Sequence, residues 1–301
     1  MSAPRPVFQN QTRFSTRRTT QRQFLLRPDK ETNNAFVYCL AEAAQRCGVQ
    51  VVLAQMMSNH EHSSTHDPDG RDVEFREHFH KMFAKCQNAR LGRWENLWSS
   101  EEPCVVDLMT VDDLLEKLVY IATNPVKDGL VERVHQWPGP NFVKALLTGE
   151  PMKAHRPRHF FAKNGTMPPA VELRLELPDY IDDKPAFLAA LERRILAVEE
   201  ECIRERAKTG RGVVGRRKIL RAYWYDSPST REPRRVLRPR VAARDKWIRI
   251  ARLQRDKEWR LEYRAARAKW LAGVSVEFPY GTYWLRRFAN VLVSPPGSTR
   301  S

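Results

Sequence analysis

Cysteine is scarce and unpaired in this chain. Cys39, Cys47, Cys86, Cys104 and Cys202 are five among 301 residues, and no two are spaced C-x-x-C. An odd, scattered set argues against a disulfide framework and against a cysteine zinc site, and it fits a reducing cytoplasm. No apolar run reaches the roughly 18 residues that a membrane-spanning helix needs. The opening Met1-Ser2-Ala3-Pro4-Arg5-Pro6 lacks the apolar core of a signal peptide. No internal repeat is evident. Negative charge is also in short supply: 52 Lys and Arg face 36 Asp and Glu, a formal charge of +16. A polyanion is therefore the first partner class to consider. Hydrophobic residues make up 42%, enough for the core of one large domain or two ordinary ones.

What is present centres on His60-Glu61-His62. The preceding run, Val49-Gln50-Val51-Val52-Leu53-Ala54-Gln55-Met56, is β-branched and apolar, as a buried strand would be. On a strand, residues i and i+2 share a face, so His60 and His62 can converge on one ion. A second pair, His78-Phe79-His80, lies in a stretch whose apolar residues Phe75, Phe79, Met82, Phe83 and Cys86 recur with helical period. There i and i+2 diverge by about 200° and cannot share an ion, so this pair is expected to decorate the surface.

Along the chain, residues 11–26 read as extended, with Arg13, Arg17, Arg18 and Arg22 between apolar anchors. Those arginines suit either phosphates or a solvated strand face. A helix is predicted over 30–46 with Gly48 as its stop, a second over 73–91, and a strand over 104–108. Trp94 and Trp98 between them suit base stacking or the sealing of a core edge. Thr110 followed by Asp112 and Asp113 predicts a capped helix start. Val111, Leu114, Leu115, Leu118, Ile121 and Ala122 make one stripe of that helix, and Tyr120 lies off it with Asn124 one turn later. Pro125 predicts the helix end at or just before Asn124.

From Pro138 to Pro169 the composition suggests a linker. A strand over 171–177 and a long helix over 184–208 are predicted after it. Residues 204–260 hold twenty Lys and Arg against six Asp and Glu, with Pro228, Pro233 and Pro239 breaking the middle. A last helix is predicted over 242–271, with Trp247, Ile250, Trp259, Tyr263 and Trp270 among basic residues. Such interleaving suits nucleic acid, and a helix packed through its aromatics with a solvated basic face is the alternative.

Three ordered segments carry a family resemblance: Met57-Ser58-Asn59-His60-Glu61-His62, Gly92-Arg93-Trp94 with Leu97-Trp98, and Tyr120-Ile121-Ala122-Thr123-Asn124-Pro125-Val126-Lys127-Asp128-Gly129-Leu130-Val131. In these the chain resembles the HUH single-tyrosine transposases, in particular the REP-associated tyrosine transposase branch. The match covers about the first half of the chain. It implies an α/β fold, a ferredoxin-like α+β sandwich over residues 1–148; residues 149–301 lie outside the family core, and their charge and helical periods predict a basic, mostly helical extension for DNA binding. It further implies a divalent metal, Mg²⁺ or Mn²⁺, held by His60, His62 and Asn124, with Tyr120 as the catalytic nucleophile. The expected partner is single-stranded or hairpin DNA, cut through a 5′-phosphotyrosine intermediate, in a cytoplasmic, nucleoid-associated setting without membrane. Monomer and homodimer are both compatible with it. A non-catalytic, domesticated DNA-binding or regulatory protein on the same scaffold is the alternative function, and an RNA-binding module is a third.

One position departs from the family pattern. The residue between the two histidines is usually bulky and apolar, whereas here it is Glu61. A buried carboxylate costs several kcal/mol unless paired or protonated, so Glu61 is expected to reach a basic partner, such as an arginine of the N-terminal strand, or to face an opening. Ser63, Ser64, Thr65 and His66 are likewise more polar than the family's usual continuation.

Overall fold

The first half of the chain alternates strand and helix as its hydrophobic periods require. The computed structural model describes residues 4–230 and 239–296; Pro233 and the arginines beside it lie outside them. β1 (Gln11–Arg18) leads to α1 (Lys30–Cys47), which Asp29 caps by accepting from the Thr32 amide and Gly48 ends in the left-handed conformation, φ 65°. β2 (Gln50–Met56) and β3 (His60–Asp67) form a hairpin, followed by α2 (Asp72–Leu91) and β4 (Cys104–Leu108).

These strands make one sheet in the order β2-β3-β1-β4, all neighbours antiparallel. A β-α-β-β-α-β chain in that order is a ferredoxin-like α+β sandwich. The fold is thus mixed α/β, with a largely helical C-terminal half. α3 (Val111–Lys127) lies on the opposite face of the sheet from α2: His62 of β3 meets Tyr120 of α3, while its neighbour Glu61 meets His80 of α2.

α3 runs past the proline predicted to end it. Pro125 sits inside the helix, and the Asp128 amide still donates to Asn124 O at 3.0 Å. Val126 is fully buried and clusters with Met57, Val131, Trp137 and Ile219, so packing holds the last turn against the local preference. The stretch read as a linker also holds structure: α4 (Phe142–Thr148), capped by Asn141, and β5 (Met152–His155), which pairs with β6 (Ala170–Leu173). Elements this short leave little period to detect.

α5 (Lys184–Thr209) buries Phe187, Leu191 and Ile195 in the same core as α1, α3 and the sheet. α6 (Arg216–Arg221) follows. β7 (Val241–Ala242) adds to β4 in parallel, and α7 (Lys246–Leu271) begins after it, capped by Asp245, four residues later than predicted. α7 packs through Trp259, Tyr263 and Ala266 against Phe8 and Phe278, and α8 (Trp284–Ala289) comes last.

Arg13 of β1 is buried among Asp67 (3.6 Å), Asp72 (3.2 Å) and Asp107 (3.1 Å). Asp107 also takes Arg252 of α7 at 2.7 Å. Arg13 is therefore a structural ion and takes neither of the two roles its sequence context suits, a phosphate contact or a solvated strand face. At the two sides of the sheet, Val51 O of β2 accepts from the Glu176 amide at 3.1 Å beside a register shift between Val51 and Leu53. Val105 O of β4 accepts from Arg5 at 2.9 Å.

Candidate active site

Strand alternation puts His60 and His62 on the α3 side of β3. His60 Nδ1 lies 2.7 Å from Asn59 Oδ1. His62 is buried, stacked on Phe14 at 5.5 Å and edge-on to His60 at 4.7 Å. Neither of its ring nitrogens has a hydrogen-bond partner. Burial, followed by the nearby His60, Arg18 and Lys117, pushes its pKa well below the usual histidine value, so the ring is neutral.

α3 supplies the opposite wall. Tyr120 is 38% exposed and meets His62 edge-on, 5.3 Å between ring centroids. Burial and the charge of Asp128 raise its pKa, and Arg18 opposes them. Asn124, one turn on, is buried with Oδ1 unpartnered. Asp128, one turn further, is pushed up by burial. All four predicted site residues line one cleft of about 870 Å³. Arg18 and Arg22 line it too, and the far wall comes from the C-terminal half, with Lys218, Ile219 and residues 227–230.

The His60 imidazole in the cleft, the His62 imidazole with neither nitrogen partnered and an unpartnered amide oxygen on Asn124 fit a divalent cation that accepts mixed N and O donors. Among the described residues no group of three or more His, Cys, Asp or Glu could hold a metal ion. The donor set here is two imidazoles and an amide.

Glu61 points the other way. It is fully buried, and its Oε1 lies 3.2 Å from His80 Nε2. Burial pushes the Glu61 pKa up to about 8, against Ser63, Arg17 and Arg76, and pushes His80 well below its usual value. Both groups are thus neutral near pH 7. His80, expected on the surface, is buried, while His78 pairs with Glu42. The two rings of that second pair do diverge, but the inward one has a task. Arg17, opposite Glu61 in register, instead lies over Trp98 at 5.4 Å. Trp98 is buried and donates to His80 O at 2.9 Å, whereas Trp94 is 92% exposed.

Sequence reasoning missed three contributors. Asp128 was findable, since it shares the Tyr120 and Asn124 helix face at i+8 and i+4. Lys218 and the 227–230 wall were not, because only tertiary folding brings them to the cleft. Among the described residues no helix is long and apolar enough to cross a membrane.

No protein-family model and no curated protein matches this chain. Among solved structures it is similar to a REP-associated tyrosine transposase bound to a REP hairpin, at 18% identity and TM-score 0.42, over 54% of this chain and 88% of that one. It is also similar to a chain assigned as a transposase in Deinococcus radiodurans R1, at 16% identity and TM-score 0.29, over 39% of this chain and 93% of that one.

Proposed function

We propose that this protein cleaves and rejoins single-stranded, hairpin-bearing DNA by the chemistry of a REP-associated tyrosine transposase, with Tyr120 as nucleophile. The observation that carries the reading is the convergence of Tyr120, His62 and Asn124 on one cleft, with unpartnered donor atoms facing a phenol. His60, His62 and Asn124 would hold a Mg²⁺ or Mn²⁺ ion, which when bound would supply a Lewis acid for the scissile phosphate.

The chain's own groups supply the rest. Neutral His62 presents a lone pair without first losing a proton. Arg18, Arg22 and Lys218 place positive charge along the cleft, where a strand's phosphates lie. The Tyr120 oxygen attacks phosphorus, the O–P bond to Tyr120 forms and the bond to the 3′ oxygen breaks, leaving a 5′-phosphotyrosine and a free 3′ end. Tyr120 is protonated at neutral pH, so its proton must leave during attack, and Asp128 is a carboxylate that lines the same cleft and whose charge acts on Tyr120. Reversal by a different 3′-hydroxyl rejoins strands without ATP, since the phosphoester energy stays in the covalent link.

The Glu61 departure does not count against activity, because its carboxyl lies beneath the strand and is neutral. The test is incubation with labelled single-stranded hairpin DNA and Mn²⁺. A denaturation-resistant protein–DNA adduct with the wild type and none with Tyr120→Phe supports the reading. An undiminished adduct with Tyr120→Phe removes it, and no adduct at all favours the non-catalytic DNA-binding reading.

A further inference from the structure

Beyond α6 the chain reads Ala222-Tyr223-Trp224-Tyr225-Asp226, and this segment is pinned to the loop after β1. Phe24 N donates to Asp226 O at 2.8 Å, Arg27 Nη1 to Ala222 O at 3.1 Å and Gln23 Nε2 to Tyr225 O at 3.4 Å. Trp224 turns inward against the main core, with the Arg93 guanidinium 5.3 Å over its ring. Its neighbours turn outward. Tyr223 and Tyr225 are 60% and 53% exposed, and their rings stack on each other at 5.3 Å with planes 12° apart.

Two stacked aromatic rings that face solvent invite a third flat ring. The tyrosines line a hollow of about 660 Å³ with Lys218, Arg221 and one carboxylate, Asp226. That hollow adjoins the Tyr120 cleft, since both are lined by Phe24, Lys218, Ala222 and Ser227. A strand lying in the cleft has a path past Lys218 onto the tyrosine stack.

We propose that the Tyr223–Tyr225 stack is a subsite for unpaired bases of the DNA strand that runs on from the reacting phosphate. Lys218 and Arg221 hold the backbone, and the tyrosine column takes the bases by their faces. The inference rests on the DNA reading of the Tyr120 cleft and assigns the C-terminal half a defined part in it. Stacking is indifferent to base identity, so the subsite orders the flanking strand without selecting its sequence.

The test measures affinity by fluorescence anisotropy in the Tyr120→Phe background, where no covalent link forms. The probes are a hairpin oligodeoxynucleotide with a single-stranded flank and the same molecule with abasic residues throughout the flank. Tyr223→Ala/Tyr225→Ala is expected to weaken binding of the first probe by about tenfold or more, from the usual value of a base–aromatic stack. Abasic flanks should weaken the parent equally and the alanine variant no further. Tyr223→Phe/Tyr225→Phe keeps the rings and should bind as the parent does. Equal affinity of parent and alanine variant for the first probe overturns the subsite, as does tighter binding of an RNA flank that ignores the tyrosines. Adduct formation by the wild type is scored separately. Its absence alongside a tyrosine-dependent affinity removes the cleavage reading and leaves the subsite standing.

Discussion

Glu61 and His80 meet at 3.2 Å across 19 residues of sequence, on the side of β3 that faces away from Tyr120. The strand thus carries two kinds of buried polar group on its two faces. His62 carries two unpartnered ring nitrogens on the Tyr120 side, while Glu61 and His80 meet within the core on the other.

Burial of the Glu61 carboxyl makes stability depend on pH. Glu61 has its pKa raised from 4.5 to about 8. Its contribution is therefore complete below 4.5 and is lost as pH rises through 8. His62 and His80, depressed well below 6.5, titrate beneath the upper part of this window. Between pH 6.5 and 8 the wild type should lose up to about 1.4 kcal/mol per pH unit through Glu61. Glu61→Gln should remove that slope. Urea denaturation midpoints at the two pH values check it, and an unchanged slope in the variant would show that another group titrates.

Metal binding should follow the two histidines and the amide. Titration calorimetry with Mn²⁺ is expected to show binding to the wild type and none to His60→Ala/His62→Ala. Asn124→Ala should weaken it by about tenfold, in line with losing one oxygen ligand. Undisturbed Mn²⁺ binding by the histidine variant would place the ion elsewhere.

Arg13→Ala removes one cation from a network in which Asp72 keeps Arg76 and Asp107 keeps Arg252, while Asp67, fully buried, loses its cation. Removing one partner of a buried ion network costs about 3–5 kcal/mol. Arg13→Ala should therefore fall in that range by thermal or urea denaturation. A loss under about 1 kcal/mol would mean that the carboxylates are hydrated or protonated instead.

Salt dependence reports which cations touch the strand. Each phosphate contact on single-stranded DNA contributes a slope of about −0.7 in log K against log salt. Replacing Arg18, Arg22 and Lys218 together by Ala should flatten the slope by roughly 2. Replacing exposed Arg249, Lys257 and Arg264 of α7 tests the helix as a second contact surface. A slope moved only by the α7 set would put the strand on that helix and outside the cleft.

The first half of the chain was legible because its signals are local. A capping Asp29 and a stop at Gly48 bound α1, and alternation placed His60 with His62 and turned Glu61 away. Tyr120 and Asn124 were found through their helical spacing and the motif around them. The illegible parts depend on long-range packing. Periodicity showed that His78 and His80 diverge, but not that α2 would lay His80 over Glu61. Pro125 stays helical because Val126 is buried by Met57, Trp137 and Ile219, which lie far away in sequence. Lys218 reaches the cleft only after α5 has packed across the core.

The small hydrogen bonds at the two sides of the sheet limit how this protein can meet another copy of itself. An open strand edge is a template on which a second chain can continue the ladder. Here β7 and the Arg5 guanidinium occupy the β4 side, while the Glu176 amide and the Val51 to Leu53 irregularity occupy the β2 side. Among the described residues, these contacts interrupt the row of backbone groups on either side. A homodimer that exchanged tyrosines between subunits would have to join through helices and loops, so its interface would be sensitive to side-chain substitution and indifferent to strand register.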